Sequence, residues 1–117
     1  MINIYGIKNC NSVQKALKFF KSYNIPHIFI DFRQTPVDEK DIRSWLEKSN
    51  LETILNTKGT TYRTLKLKAL NLNDEEKIVW LARENMLIKR PVIVFDNQVI
   101  VGYNESTYLE KLLHFKG

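Results

Sequence analysis

Residues 1–5 (MINIY) alternate in polarity and are rich in strand formers, and Gly6 punctuates the run. From Asn11 the period changes. Val13, Ala16, Leu17 and Phe20 recur at i, i+3, i+4 and i+7, the stripe of an amphipathic helix that runs to about Ser22 or Tyr23. Asn11 or Ser12 is the expected N-cap, its side-chain oxygen accepting from a first-turn N–H. Pro26 bars continuation, and residues 27–31 (HIFID) read as a second strand.

A strand, a helix and a strand in this length make a βαβ unit with a right-handed crossover. The stretch TPVDEKDIRSWLEKSN then offers Thr35 as N-cap, Pro36 at the first helical position and acidic residues in the first turn. Val37, Ile42, Trp45 and Leu46 form its buried face. Residues 51–88 show no convincing strand. LETILNTKG and TTYRTLKLKAL read as short helices separated at Gly59, and Asn73 caps a stronger one with Ile78, Leu81 and Ala82 inward. Residues 92–95 and 99–101 form a hairpin around Asp96, Asn97 and Gln98. Asn104 caps a last helix with Tyr108, Leu109, Leu112 and Leu113 facing the core. The order is β-α-β-α, a helical segment, then β-β-α. Setting the helical segment aside leaves an α/β, thioredoxin-like fold: a four-stranded mixed sheet with helices on both faces.

Composition narrows the setting. A chain of 117 residues holds one core, so residues 1–117 are expected to be a single domain with residues 51–88 as a helical insertion. No apolar run approaches the roughly 20 residues that span a bilayer, and the N-terminus lacks the pattern of a secretory signal. A single cysteine excludes an intramolecular disulfide and a multi-thiolate metal site, so a reducing, cytoplasmic setting is expected. The net charge of +5 is spread along the chain, densest in KGTTYRTLKLK with Lys58, Arg63, Lys66 and Lys68. A solvated helix face explains that stretch better than direct nucleic-acid binding, for which no recognition helix or zinc spacing is present.

Chemistry converges on the first loop. Cys10 stands where the first helix begins, and orphan amides with the positive dipole end there favour thiolate over thiol. Lowering a thiol pKa from about 8.5 to about 6.5 raises the thiolate fraction at pH 7 from roughly 3% to roughly 75%. Lys8 adds positive charge two residues upstream. Arg90 and Pro91 precede the hairpin, on a loop that this architecture turns toward the same helix end. Cys10 lies between Asn9 and Asn11, off the apolar stripe that Val13 opens, so it is read as reactive rather than as inert packing. His27 and His114 have no companions at metal-ligand spacing, and no metal is expected.

IYGIKNCNSVQKAL at the start, ILNTKGTTYRTL in the middle, and LIKRPVIV with VIVGYNESTY near the end resemble the arsenate-reductase-related ArsC and Spx group of thioredoxin-fold proteins. The resemblance covers essentially the whole chain as one ArsC-type domain. It implies that Cys10 is the nucleophile, that Arg90 is the arginine before the fold's proline, and that Pro91 follows a cis peptide bond. Lys58 falls where close relatives place arginine. Arsenate reductases of the group hold the oxyanion with several arginines, and here Asn56 and Gly102 stand in two of those places. Spx regulators bind the C-terminal domain of the RNA polymerase alpha subunit and carry a Cys-x-x-Cys switch, which Val13 removes. The remaining single-cysteine relatives are regarded as glutathione-dependent thiol reductases.

The resemblance therefore implies a monothiol oxidoreductase. Glutathione is its co-substrate, and Lys8, Asn11, Ser12, Lys58, Arg90 and Pro91 line its site. Its partners are glutathione or a protein thiol or disulfide. The first alternative is arsenate reduction with glutathione and glutaredoxin. The second is a non-enzymatic regulator on the RNA polymerase alpha subunit.

Overall fold

Strand alternation at the N-terminus organises the first of two units into which the chain divides, Met1–Gln34 with Arg90–Gly117. The second is Thr35–Lys89. The computed structural model describes all residues, Met1–Gly117. In chain order the elements begin β1 (Ile2–Gly6), α1 (Asn11–Ser22), β2 (His27–Asp31), α2 (Glu39–Leu46), α3 (Leu51–Ile54) and α4 (Thr60–Thr64). They continue with α5 (Asp74–Arg83), β3 (Val92–Phe95), β4 (Gln98–Val101) and α6 (Glu105–Leu112).

In the first unit the strand order is β2-β1-β3-β4. β1 runs parallel to β2 and antiparallel to β3, and β3 pairs antiparallel with β4. This is the mixed sheet of the thioredoxin-like fold. Ile4 lies opposite Ile93, which lies opposite Ile100, so one face presents a continuous apolar row. On that face Ile2, Ile4, Ile93, Phe95 and Ile100 form one core with Ala16, Phe19 and Phe20 of α1 and Tyr108 and Leu112 of α6. Burying each large side chain is worth about 1.5–3 kcal/mol, so this layer supplies most of the unit's cohesion.

Local signals close the elements. Helix α1 ends at Ser22 with Tyr23 as its C-cap, followed by Asn24 in the left-handed region at φ 52°. The hairpin turn differs from expectation. Gln98 joins β4 opposite Phe95, so the turn is the two residues Asp96 and Asn97, with φ of 42° and 58°. That is the geometry matched to strand twist, and short side chains that tolerate it occupy both places. At the end of β4, Gly102 takes φ 84°, and its carbonyl accepts a 2.7 Å hydrogen bond from the buried Tyr108 hydroxyl.

The second unit is helical and corrects three sequence expectations. Helix α2 starts at Glu39, not after Thr35, because Asp38 and Asp41 form a capping box, each side chain accepting from the other's amide. Val37 is buried but lies ahead of the helix, its amide held by Asn85 Oδ1 at 2.8 Å. Helix α3 stops at Ile54 because Leu55 turns extended and bridges Ile88. Helix α4 stops at Thr64, since Lys66 has φ 54° and a 3₁₀ turn, Leu67–Leu70, ends at Asn71 with φ 48°. As expected, Asn73 caps α5, in a capping box with Glu76. Arg43 of α2 reaches Glu75 of α5 at 2.8 Å. No helix is long and apolar enough to cross a membrane.

Helix α1 lies very close to β1. A Cβ placed on Gly6 would stand 2.6 Å from Val13 Cγ2, and Val13 is fully buried. Gly6→Ala should therefore cost about 1–3 kcal/mol in urea unfolding, with a clearly smaller cost in a Val13→Ala background, where the clash is relieved. Equal costs in both backgrounds would show that the close approach is not what requires glycine.

Candidate active site

The loop from β1 to α1 ends at Cys10, whose backbone is extended at φ −115° and ψ 126°. Its carbonyl accepts the Gln14 amide at 2.9 Å, the first bond of the helix ladder. Cys10 is thus itself the N-cap, and the expected cap at Asn11 or Ser12 is corrected. Both of those residues already have helical backbone, because the contact of Gly6 with Val13 pulls the helix start close to the strand. Loop residues 8–10 are further fixed by Gln14 Nε2, which donates to the Lys8 carbonyl at 2.9 Å.

An N-cap side chain sits beside the unpaired amides of the first turn. The sulfur closes no full capping bond, yet those amides favour its charged form. Opposed influences act on the half-buried thiol. Partial burial pushes it up. The Val13 amide, a hydrogen bond from the Arg90 side chain, the Ser12 amide and the Arg90 charge push it down. The downward set prevails, and the thiol lies below its ordinary value. Arg90 is half-buried and precedes Pro91 through a cis peptide bond. Pro91 is buried, and its carbonyl accepts the Gly102 amide at 2.7 Å, tying this loop to the end of β4.

The structure thus brings Cys10, the Ser12 amide and Arg90 together, beside Pro91 in sequence. Asn11 is exposed and contributes helical backbone rather than a cap. Lys8 is exposed, and its part in the loop is played by its carbonyl. Lys58 belongs to the second unit, where its amide donates to Asn56 Oδ1 at 3.3 Å and its carbonyl accepts from Arg63 at 2.8 Å. Two contributors escape a reading by side-chain type. Val13 acts through its amide, and Gln14 acts as a loop clamp; only the predicted helix start, which places position 13 in the first turn, hinted at the former.

The ArsC family pattern matches residues 5–111. The chain belongs to the ArsC family. An uncharacterized protein of Haemophilus influenzae is 36% identical over 109 residues, covering 92% of this chain and 96% of that one. The global transcriptional regulator Spx 1 of Lactococcus lactis is 26% identical, over 91% of this chain and 84% of its own. The crystal structure of a possible arsenate reductase from Streptococcus mutans superposes with a TM-score of 0.77 at 32% identity, covering 89% and 92% of the two chains. This ArsC-family chain is therefore similar over most of its length to both reductase-like and regulatory relatives.

The electrostatics set a pH dependence. A lowered thiol keeps its thiolate to lower pH, so the alkylation rate of Cys10 should reach half its maximum at a lower pH than that of an unperturbed thiol. Arg90→Ala removes two of the lowering influences, its hydrogen bond and its charge, so the midpoint should move to higher pH and the rate at pH 7 should fall severalfold. A midpoint that stays put in the variant would remove Arg90 from the account.

Proposed function

We propose that the chain is a monothiol oxidoreductase acting on disulfides, with glutathione as the external thiol. The observation that carries this reading is Cys10 at the N-cap of α1, its sulfur met by first-turn amides and by Arg90. A thiolate attacks a disulfide sulfur, and the leaving group departs as thiolate. With a glutathionylated protein as substrate, the Cys10 thiolate attacks the glutathione sulfur, forming the Cys10–glutathione disulfide and releasing the protein thiolate. A second glutathione thiolate then attacks that mixed disulfide. Cys10 leaves as thiolate and oxidised glutathione is the product. Over the cycle the substrate protein's sulfur is reduced and the second glutathione's sulfur is oxidised, Cys10 is regenerated, and no second cysteine of this chain is needed.

In this reading Arg90 also steadies a glutathione carboxylate, while Lys8, Asn11, Ser12 and Pro91 border the bound thiol. The same site with arsenate as electrophile is the weaker variant. An oxyanion calls for charge-assisted, forked donors, and Gly102 and Asn56 supply none at two places where reductases of the group use arginine. Glutathione-dependent reduction of a mixed-disulfide substrate should be lost in Cys10→Ser, whereas arsenate turnover should be negligible in the unaltered protein. Full activity in Cys10→Ser refutes the mechanism, and brisk arsenate turnover replaces the substrate.

Similarity to Spx 1 over most of the chain favours a second reading, a regulator that docks on RNA polymerase. Retention of the isolated C-terminal domain of the alpha subunit by immobilised protein, reduced or glutathionylated, supports that reading. Failure of both forms to retain it rejects the regulator.

A further inference from the structure

The sheet of the first unit ends at β2, and that edge is open. β1 has a strand on either side and buries every second residue, whereas β2 has one neighbour and buries none of its residues. Ile28, on the strand itself, is 48% exposed. Edge strands are commonly guarded by lysine, proline or a bulge. His27–Asp31 holds no lysine and no proline, and its register with β1 runs unbroken from Ile2–His27 to Gly6–Asp31.

One bond gives the direction of its main-chain groups. Gly6 is paired with Asp31, and its carbonyl accepts the Phe32 amide at 2.9 Å. In a parallel ladder this turns the amides and carbonyls of Ile28 and Ile30 toward β1, and those of His27, Phe29 and Asp31 outward. Outward groups on alternate residues are what a further strand needs. The Asp31 carbonyl also accepts the Gln34 amide at 3.0 Å and keeps a second lone pair.

We propose that this edge pairs with the same edge of a second copy, antiparallel about a two-fold axis at Phe29, joining two four-stranded sheets into one. A second copy suits the edge because HIFID is self-complementary in that register. Phe29 meets Phe29, Ile28 meets Ile30, and His27 meets Asp31. The last pair attracts when the imidazole is charged and does not repel when it is neutral, so no like charges face each other. The outward residues exchange both main-chain bonds, Phe29 with Phe29 and His27 with Asp31. So short an edge buries little area, and the pair is weak, with a dissociation constant of roughly 10 µM to 1 mM. Each Cys10 loop follows β1 at the end beside Asp31, so the antiparallel joint sets the two thiols at opposite ends.

The test is sedimentation of the chain from about 10 µM to about 1 mM, with amide-exchange NMR over the same range. Reductant excludes a disulfide through Cys10, and about 0.15 M salt screens the net charge of +5. A reversible monomer–dimer equilibrium is expected. As the dimer fills, the amides of His27, Phe29 and Asp31 should gain protection severalfold, while those of Ile28 and Ile30, already held by β1, change little. Ile28→Lys sets a charge on the joint and should weaken dimerisation at least tenfold. Ile28 is exposed, so the variant's thermal midpoint should match the parent's. A chain that stays monomeric throughout, a dimer as tight in Ile28→Lys, or protection that rises elsewhere and not at those three amides would each overturn the proposal. Species that grow beyond the dimer with concentration, with protection along β4 as well, would replace it by head-to-tail pairing of β2 on β4.

Discussion

The contact on which the reactive end of the molecule depends is the one between Gly6 and Val13. Strand β1 and helix α1 approach until only a hydrogen fits at position 6. That closeness leaves a loop of three residues, 8–10, between Ile7, which is buried, and the first helical residue. A short loop with buried anchors has few conformations, and the Gln14 clamp on the Lys8 carbonyl removes more. Cys10 arrives at the N-cap as a consequence of packing. The core behind it is the same layer of isoleucines and aromatics that joins α1 and α6 to the sheet, so the cap inherits the rigidity of the core.

Placement at the cap decides the chemistry through a balance rather than a single strong bond. Partial burial opposes the thiolate, and full exposure would dilute the amides and the guanidinium in water. A half-buried cap lets the fixed dipoles act while leaving the sulfur open to an incoming disulfide. Arg90 reaches it from the segment that leads into β3, whose register against β1 is fixed by the Ile4–Ile93 pairing. The thiol is therefore tuned by parts of the chain far apart in sequence and aligned by one sheet.

Much of this was legible in the residues. The period change after Gly6, the cap signals of Asn73 and Asn104, and the hairpin itself, though read with Gln98 in its turn, each rest on local chemistry that the fold does not override. What failed was also local in appearance but settled elsewhere. Asn11 and Ser12 look like caps, yet the position of the helix start is decided by the strand beneath it. Thr35 and Pro36 look like a helix beginning, but Asp38 and Asp41 satisfy each other's amides and Asn85 holds Val37 from far along the chain. TTYRTLKLKAL has helical composition, and nothing in its residue types announces that Lys66 turns left-handed. At the site, side-chain identity pointed to Cys10 and Arg90. It could not reveal that Val13 matters for its amide.

That last residue reframes the single cysteine. A dithiol helix would place its second sulfur at position 13, where this chain has a fully buried valine packed on Gly6. The valine side chain fixes the helix against the strand, and its main-chain amide helps to hold the thiolate. Stabilising the thiolate makes Cys10 both a ready nucleophile and a good leaving group, since lower thiol pKa speeds departure. A good leaving group that cannot be captured by a neighbour in its own chain stays bonded to its partner until another thiol attacks. The lifetime of the mixed disulfide is then set by the concentration and access of that outside thiol. In the proposed mechanism the cap geometry governs how fast Cys10 is loaded, and the surroundings of the protein govern how fast it is released.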